Sequence, residues 1–311
     1  MKAVGVSWAD VPMTWGIRST TSRQTDSLSN LLADGGTVPV AGVFNPLSAL
    51  IAEDVGFRAL YFSGAAFSAS LGIPDIGLFT LDELASAVRW VARATSLPLI
   101  VDADTGFGEA INTYRTVKEL EAAGAAAIQI EDQVMPKRCG HLDGKQVIDP
   151  DEFSTKIRAA VHARVSSLIV ARTDSKAIYG MEDAIDRGRA YREAGADIVF
   201  PEALESPEEF RRYSESVGGP LVANMTEFGK TPYLSVSEFG ELGYQLVIFP
   251  VTSLRVAAKA MRTAMKGVLE LGTQSGLLDR MQTRSELYQL IGYNDYEGLD
   301  TRLSQSPVQS H

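Results

Sequence analysis

Short, mainly apolar runs recur along the chain at fairly even intervals, and longer stretches with helically spaced apolar residues separate them. Runs of this length without polar alternation are typical of strands that are buried on both faces. The pattern predicts eight strands, over residues 38–44, 59–62, 97–101, 126–130, 167–170, 197–200, 220–223 and 245–249. It predicts helices between them, among others over residues 81–94, 111–123, 183–194 and 207–216.

An internal repeat supports this alternation. Four predicted helices end on a glycine that precedes an apolar run, at Gly56, Gly124, Gly195 and Gly243. Glycine suits this position because helices commonly end on a residue in the left-handed conformation. Strands that alternate with helices indicate a parallel sheet, and eight strands close a (β/α)8 TIM-type barrel. The alternative, an open doubly wound sheet, usually carries a glycine-rich dinucleotide turn, which this sequence lacks.

The chain continues past the eighth strand for longer than one closing helix requires. Further helices are predicted over residues 252–271, 276–281 and 284–291. The sequence therefore divides into an N-terminal extension (1–30), the barrel (31–272), a C-terminal helical arm (273–303) and a disordered tail (304–311). An appended arm of this kind often packs on a partner subunit.

Composition and charge exclude several classes of protein. The 311-residue chain carries a net charge of −10 and one cysteine, which excludes an internal disulfide and suits a reducing compartment. There is no apolar run of about 18 residues for a membrane span and no apolar core of a signal peptide. No cluster of Lys and Arg suggests a nucleic-acid interface. We therefore expect a cytoplasmic protein without membrane or nucleic-acid partners.

Unusual polar residues follow the predicted strands at their carboxyl ends, where barrel enzymes place their active sites. The residues at these ends are Ser63, Gly64, Ala65, Asp102, Asp104, Glu131, Arg172, Glu202, Asn224, Met225 and Thr226. One or two of them would serve as helix caps, but capping does not explain six consecutive strand ends. Arg172 is suited to bidentate carboxylate binding, with Glu202 as the partner that orients it. The competing interpretation is a structural ion pair.

Asp102 and Asp104 form a candidate metal site. They are two residues apart, so in extended chain both carboxylates point to one face, where they repel unless a cation separates them. Oxygen ligands without a cluster of His or Cys favour Mg²⁺ over zinc, with Mn²⁺ as the alternative ion. Asp75 and Glu131 are candidates to hold the metal through water. The competing interpretation of the pair is an Asx-turn before the glycine-rich loop.

The only cysteine, Cys139, follows Lys137 and Arg138 and precedes Gly140 and His141. Nearby positive charge lowers the pKa of a thiol and increases its reactivity. Cys139 is therefore a candidate catalytic group, and the competing interpretation is an incidental cysteine in a surface loop. The glycines and charges of residues 133–144 also predict a lid that is open without ligand and closes over product.

Several motifs resemble the isocitrate lyase and phosphoenolpyruvate mutase superfamily, and within it they are most similar to the methylisocitrate lyases. The Lys-Arg-Cys-Gly-His motif is the most specific of them, because phosphonate-forming and decarboxylating relatives lack its cysteine. One departure is Ala65, where many relatives carry glycine. The motifs cover residues 61–66, 72–77, 101–108, 130–133, 136–141, 171–174, 200–203, 223–229 and 281–288.

The resemblance implies a set of ligand contacts and an assembly. It implies Mg²⁺ at Asp102 and Asp104, and a homotetramer built on swapped C-terminal helices. It implies contacts with a small tricarboxylate substrate from Ser63, Gly64, Ala65, Cys139, Gly140, Arg172, Glu202, Asn224, Met225, Thr226, Arg255 and Arg284.

The activity implied by the resemblance is cleavage of 2-methylisocitrate to pyruvate and succinate, in the methylcitrate cycle of propionate catabolism. Cys139 would be the general acid; Lys137, His141 and Arg172 would stabilise developing charge; the base would be Tyr61 or a group linked to Glu202. Phe200 and Ile248 are expected to form the pocket for the extra methyl group. The alternatives are isocitrate or 2,3-dimethylmalate cleavage by the same groups, and a non-catalytic barrel that senses a dicarboxylate.

Overall fold

The computed structural model describes residues 28–138, 140 and 144–305. Eight strands form one parallel sheet in the order β6-β5-β4-β3-β2-β1-β8-β7, and a bridge between Val199 and Leu221 joins its two edges. The predicted TIM-type (β/α)8 barrel is thus confirmed. Its strands are β1 (Val38–Val43), β2 (Ala59–Phe62), β3 (Leu99–Asp102), β4 (Ala127–Glu131), β5 (Leu168–Thr173), β6 (Ile198–Pro201), β7 (Val222–Asn224) and β8 (Leu246–Phe249).

Helices surround the sheet, after a helical segment at residues 28–33. They are α1 (Pro46–Asp54), α2 (Gly64–Ser70), α3 (Leu81–Ala94), α4 (Ala110–Ala123), α5 (Pro150–Ala163), α6 (Lys176–Tyr179), α7 (Met181–Glu193), α8 (Pro207–Val217), α9 (Val236–Glu241) and α10 (Thr252–Leu271). No helix within the described ranges is long and apolar enough to cross a membrane.

The contacts between residues divide the chain into two compact units, residues 20–260 and a second unit that includes residues 261–311. The described part of the second unit contains the end of α10, a 3₁₀-helix (Ser275–Arg280), α11 (Arg284–Leu290) and α12 (Tyr293–Gln305). Helix α12 therefore includes residues 304 and 305, the first two of the predicted tail.

Local sequence signals account for many helix ends. Helix α3 begins after Thr80, whose hydroxyl accepts a hydrogen bond from the Glu83 backbone while the Glu83 carboxylate accepts one from the backbone of Thr80. This reciprocal capping satisfies donors that a helix start otherwise leaves unpaired. The four repeat glycines all have left-handed backbone, with φ of +96°, +109°, +106° and +91° at Gly56, Gly124, Gly195 and Gly243.

Alternation along the strands separates two layers of core. Side chains such as Val40, Ile100, Val170 and Ile198 fill the barrel interior, and their sequence neighbours pack outward against the helices. A residue two positions after an interior residue points inward again, at the carboxyl end of the barrel. The alternation of inward and outward side chains along each strand therefore decides which polar residues meet at the barrel mouth.

Candidate active site

The barrel mouth gathers polar residues of matching parity from neighbouring strands. Three of them come two residues after a side chain that points into the barrel. They are Asp102 after Ile100, Arg172 after Val170, and Glu202 after Phe200. Gln129 and Asn224 stand in the same relation to Ala127 and Val222. A cavity opens here, lined by Tyr61, Ser63, Ala65, Asp75, Lys137, Arg138, Gly140, Arg172, Glu202, Asn224, Thr226, Ile248, Pro250, Val251 and Arg255.

Arg172 is the central cation of this cavity. Its Nε lies 2.8 Å from Asp174 Oδ2 and 3.3 Å from Glu131 Oε2, and its Nη2 lies 3.2 Å from Glu202 Oε2. Burial lowers the pKa of the guanidinium, but the carboxylates of Asp174, Glu202 and Glu131 outweigh it and hold the pKa well above the ordinary value. Asn224 donates from Nδ2 to the same oxygen, Glu202 Oε2, at 3.1 Å, which further fixes this carboxylate.

Asp102 and Asp104 lie together at the end of β3, and both are buried. Asp102 accepts hydrogen bonds from the Gly64 backbone at 3.3 Å and from Gln129 Nε2 at 3.1 Å. Asp104 Oδ2 and Glu131 Oε1 accept no hydrogen bond from the described residues, whereas Asp104 Oδ1 is paired with the Lys137 ammonium at 3.0 Å. The pKa of Asp104 is raised to about 7: burial is the main cause, the charge of Lys137 opposes the shift, and the charges of Asp102 and Asp75 add to it.

These buried, unsatisfied carboxylate oxygens fit a divalent cation, because hard oxygen donors in an anionic cluster are the ligands that Mg²⁺ prefers. Among the described residues, no group of three or more His, Cys, Asp or Glu side chains is arranged to hold a metal. A site of two direct carboxylates is the low ligand count expected of Mg²⁺, which keeps water or substrate oxygens in its other positions. Asp102 and Asp104 are the residues that would hold it.

Lys137 supplies a second buried cation. Its ammonium pairs with Asp75 and lies 3.0 Å from Asp104 Oδ1. Burial lowers the pKa of Lys137, but Asp104, Glu131, Asp75 and Asp102 outweigh burial and keep it above the ordinary value. The ammonium is therefore charged at neutral pH and sits between two acidic groups.

Tyr61 donates its hydroxyl hydrogen to Gln129 Oε1 at 2.9 Å. Burial and the charge of Asp102 raise the pKa of the phenol well above 10, so it is neutral. Gln129 in turn donates to Asp102, which links Tyr61 to the candidate metal site through one amide.

The segment that carries the cysteine borders the cavity. Gln133 is buried, accepts a hydrogen bond from the Arg138 backbone N–H at 2.9 Å and donates to the Arg138 carbonyl at 2.8 Å. In the described part of the predicted lid, Lys137 and Gly140 are also buried, whereas residues 134–136 are exposed. Closure of this segment over product stays a prediction. Gly140 lies so close to Glu202 and Arg172 that a Cβ there would stand 2.6 Å from Arg172 Nη2. Cys139 and His141 lie outside the described residues.

The structure brings most of the predicted contact residues to the cavity, with some exceptions. Gly64 contacts Asp102 instead, and the Met225 side chain packs in the outer core. Arg284 begins α11 in the second unit. Phe200 is fully buried, with the Arg172 guanidinium 5.2 Å from its ring centre, whereas Ile248 lines the cavity.

Several cavity and supporting residues were absent from the predicted site. They are Gln129, Arg138, Lys145, Pro250 and Val251. Strand parity identifies Gln129, because it stands two residues after a buried strand residue and beside Asp102 on the next strand. Nothing in the local sequence identifies Lys145, which reaches Asp174 across 29 positions of the chain.

Comparison with known proteins gives matches along most of the chain. The sequence model of the phosphoenolpyruvate phosphomutase family matches residues 28–269. A 2-methylisocitrate lyase from Aeropyrum pernix is 57% identical over 278 residues, which cover 89% of this chain and 90% of that protein. A 2-methylisocitrate lyase from Halalkalibacterium halodurans is 46% identical, over 94% of this chain and 99% of that protein.

Solved structures share the fold. The crystal structure of 2,3-dimethylmalate lyase, a member of the PEP mutase/isocitrate lyase superfamily, has a TM-score of 0.86 and 38% identity, covering 92% of this chain and 96% of that one. Phosphonopyruvate hydrolase in complex with oxalate and Mg²⁺ has a TM-score of 0.82 and 30% identity, covering 90% and 98%.

Proposed function

Because the chain belongs to the phosphoenolpyruvate phosphomutase family, we propose that it is a carbon–carbon lyase that cleaves 2-methylisocitrate to pyruvate and succinate. The observation that carries the proposal is the barrel mouth, where buried Lys137 contacts Asp104 of the acidic pair and buried Arg172 contacts Glu131. This arrangement suits a substrate with several carboxylates that passes through a carbanion-like state. A barrel that only senses a dicarboxylate has no need of the acidic pair.

The acidic pair provides for a metal. We propose Mg²⁺, with Mn²⁺ as a functional substitute, held by Asp102 and Asp104, and by Asp75 and Glu131 through water. The unsatisfied oxygens of Asp104 and Glu131 support this assignment, as does the Mg²⁺ in the phosphonopyruvate hydrolase complex. A bound Mg²⁺ would supply positive charge for the oxygen atoms of the pyruvate half.

The proposed reaction is of the retro-aldol type. A base removes the proton of the hydroxyl group on C2. The C2–O bond becomes the carbonyl of pyruvate as the C2–C3 bond breaks. Its electron pair moves onto C3 and the adjoining carboxylate, and a proton delivered to C3 completes succinate. One proton is taken up and one is returned, so no oxidant or reductant is needed.

The residues of the chain divide these tasks. Cys139 donates the proton to C3, and Lys137, His141 and Arg172 stabilise the negative charge as it develops. Tyr61 is neutral and its hydrogen points to Gln129, so it accepts a hydrogen bond from the substrate hydroxyl better than it removes the proton. A group linked to Glu202 is therefore the better candidate for the base.

Further residues bind and enclose the substrate. Ser63, Ala65, Asn224, Thr226 and Arg255 line the cavity and are proposed to contact the carboxylates. Gly64, Gly140, Met225 and Arg284 complete the proposed contact set. The likeness to 2,3-dimethylmalate lyase makes cleavage of 2,3-dimethylmalate the second candidate activity.

We also propose that the protein works in the cytoplasm as a homotetramer built through its C-terminal helices, within propionate catabolism. Met261, Met265 and Val268 on α10 are exposed by 51%, 69% and 43% and fall on one side of the helix. An apolar stripe of this kind is typical of a face that a partner covers.

The decisive experiment measures pyruvate and glyoxylate release from 2-methylisocitrate, isocitrate and 2,3-dimethylmalate. We expect pyruvate from 2-methylisocitrate with Mg²⁺, none after EDTA, and recovery on adding Mg²⁺. Cys139→Ser is the matched variant; losing a positioned general acid lowers the rate by about 10²–10⁴-fold while the fold is kept. A protein that releases neither product from any of the three substrates contradicts the proposal, and faster turnover of 2,3-dimethylmalate selects the second candidate.

A further inference from the structure

Lys145 is buried at the site, yet neither the sequence motifs nor the proposed chemistry uses it. We propose that Lys145 is a positioning residue that ties Arg172 to the segment carrying Cys139, by way of Asp174 and the Gly140 carbonyl. The inference rests on the proposed function, in which Cys139 and Arg172 act on one substrate.

The geometry forms a continuous chain of contacts. Lys145 donates from Nζ to the Gly140 carbonyl, and the same nitrogen lies 2.9 Å from Asp174 Oδ1. Asp174 accepts from Arg172 twice, at 2.8 Å from Nε and 3.1 Å from Nη2. One carboxylate thereby fixes both the ammonium that holds Gly140 and the guanidinium that faces the cavity.

Burial restricts the motion of the side chains that form these contacts. The side chains of Lys145 and Asp174 are exposed by only 1% and 0%. The Asp174 backbone is also fixed, because its N–H donates to Asp132 Oδ1 at 2.9 Å. A buried ammonium must satisfy its donors, so it does not readily leave the two acceptors that surround it.

The arrangement has a direct consequence for Cys139. Gly140 rests against Arg172 and Glu202 so closely that a Cβ has no room there. Pulling the Gly140 carbonyl toward Lys145 sets the approach of that backbone to Arg172, and Cys139 is the preceding residue. General acid catalysis depends on such placement, since a misplacement of about 1 Å costs about 100-fold in rate.

The test uses Lys145→Met, which keeps the length of the side chain and removes its donors. Asp174 keeps Arg172 as a partner in this variant. Lys176→Met is the matched control, because Lys176 is also largely buried between two carboxylates, Glu205 at 3.1 Å and Glu209 at 3.0 Å.

Two readouts separate positioning from general stability. The chain has one cysteine, so iodoacetamide followed by mass spectrometry reports on Cys139 alone. The alkylation rate is measured against pH, and its plateau above the thiol pKa reports accessibility rather than charge. We expect Lys145→Met to raise this plateau rate about tenfold, because the loss of one charge-assisted hydrogen bond frees the Gly140 backbone. We expect the same variant to lower kcat about 10- to 100-fold, because the general acid is misplaced. Lys176→Met should change neither.

An alkylation plateau and a kcat both equal to those of the wild type would overturn the proposal. So would equal changes in Lys176→Met, because the effect would then come from any buried lysine. If Lys145→Met lacks a cooperative thermal transition, Lys145→Gln replaces it, because glutamine is too short to reach both acceptors. The alkylation plateau and kcat of Lys145→Gln are then judged by the same criteria. Alkylation needs no substrate, so a wild-type protein without lyase activity refutes the proposed function and leaves this readout intact.

Discussion

Asp104 combines an unusual backbone conformation with a buried carboxylate. Its backbone lies in the left-handed region, with φ of 47°. Its carboxylate is buried, with Oδ1 paired to Lys137 and Oδ2 without a hydrogen bond from the described residues. Non-glycine residues pay for such a conformation, and the cost is tolerated mainly where the residue serves a function. Raised pKa and strain together indicate a carboxylate placed for a cation rather than for stability.

Replacing this carboxylate should separate metal binding from folding. We expect Asp104→Asn to weaken Mg²⁺ binding, followed by isothermal titration calorimetry, because one of two direct ligands is lost. In EDTA the variant should still unfold in one cooperative thermal transition, because asparagine keeps the shape of the side chain and Lys137 keeps its ion pair with Asp75. Asp34→Asn, on an exposed ion pair with Arg58, is the control that should leave Mg²⁺ binding unchanged. If Asp104→Asn bound Mg²⁺ as tightly as the wild type, Asp104 would not be a metal ligand.

Gly140 is a second residue at which geometry alone makes a prediction. Its φ is not in the left-handed region, so the constraint is space: a Cβ would be 2.6 Å from Arg172 Nη2 and closer still to Glu202. Gly140→Ala should therefore lower kcat/KM by about 100-fold by displacing Arg172 or the cysteine segment. Gly36→Ala, where nothing lies within 4 Å of the added Cβ, should have normal kinetics. Normal kinetics in Gly140→Ala would mean that this close packing is not needed.

Ile248 is the residue on which substrate choice should depend. It lines the cavity, while Phe200, the other predicted member of the methyl pocket, lies beneath Arg172. One methyl group in a fitted pocket is worth about 1–3 kcal/mol, or roughly 10–200-fold in kcat/KM. Ile248→Phe should fill the pocket and narrow the preference for 2-methylisocitrate over isocitrate. Phe200→Trp should instead lower turnover of both substrates, and an unchanged ratio in both variants would place methyl recognition elsewhere.

At the scale of elements, the repeat contains a staple between successive helix–strand units. In three of the four repeats, the residue three positions before the repeat glycine bonds the turn that precedes the second strand after that glycine. Glu53 accepts from the Ser96 backbone before β3, and Arg192 donates to the Pro220 carbonyl before β7. Glu121 accepts from the backbone of residues 165, 166 and 167 before β5, at 2.8, 2.6 and 2.7 Å. These contacts hold neighbouring units in register.

The contribution of the Glu121 contacts to the free energy of unfolding should depend on pH. Burial raises the pKa of Glu121, but the backbone N–H donors outweigh it and hold the pKa below the ordinary value. A depressed pKa means that its stabilisation is complete above the unfolded pKa, about 4.3, and is lost as pH falls through the folded pKa. Glu121→Gln should therefore cost about 1–2 kcal/mol at pH 7, with the difference from wild type shrinking below about pH 4. Chemical denaturation across pH measures this.

The control for this prediction is Glu119→Gln on the same helix. Glu119 is half-exposed and forms an i,i+4 ion pair with Arg115 at 3.8 Å, a contact worth about 0.3–0.5 kcal/mol. A Glu121→Gln variant as stable as Glu119→Gln at pH 7, or a difference from wild type that grows toward low pH, would contradict the staple.

At the scale of the whole molecule, the proposed assembly depends on the apolar stripe of α10. Within the described residues no side chain of this helix is buried, and Leu269 and Leu271 are exposed by 86% and 72%. Helices that carry apolar faces of this size usually bury them against another chain. The proposed tetramer should therefore fail when the stripe becomes charged.

Met265→Asp places a carboxylate in the middle of the stripe, where burial at an interface would leave it unpaired. We expect sedimentation velocity to show smaller species than the wild type. Thr263→Asp adds the same charge on the opposite side of the helix and should leave the assembly intact. A wild-type protein that sediments as a monomer, or an unchanged assembly in Met265→Asp, would contradict self-association through α10.

The sequence by itself determined the barrel and the chemical classes at its mouth. Periodicity is local, so the runs from Val38 to Phe249 and the four repeat glycines were sufficient to predict strands, helix ends and the closing number of strands. Strand ends then placed Asp102, Arg172 and Glu202 on one face of the barrel, because the carboxyl ends of parallel strands meet at one edge.

Only the tertiary structure decided how these residues contact each other. Side-chain direction near a strand end depends on parity and packing, which put Phe200 beneath Arg172 and left Ile248 at the cavity. Contacts between residues distant in sequence leave no local pattern; Lys145 reaching Asp174 and Gly140 is such a contact. The sequence records which groups are present, and packing in three dimensions sets which of them touch.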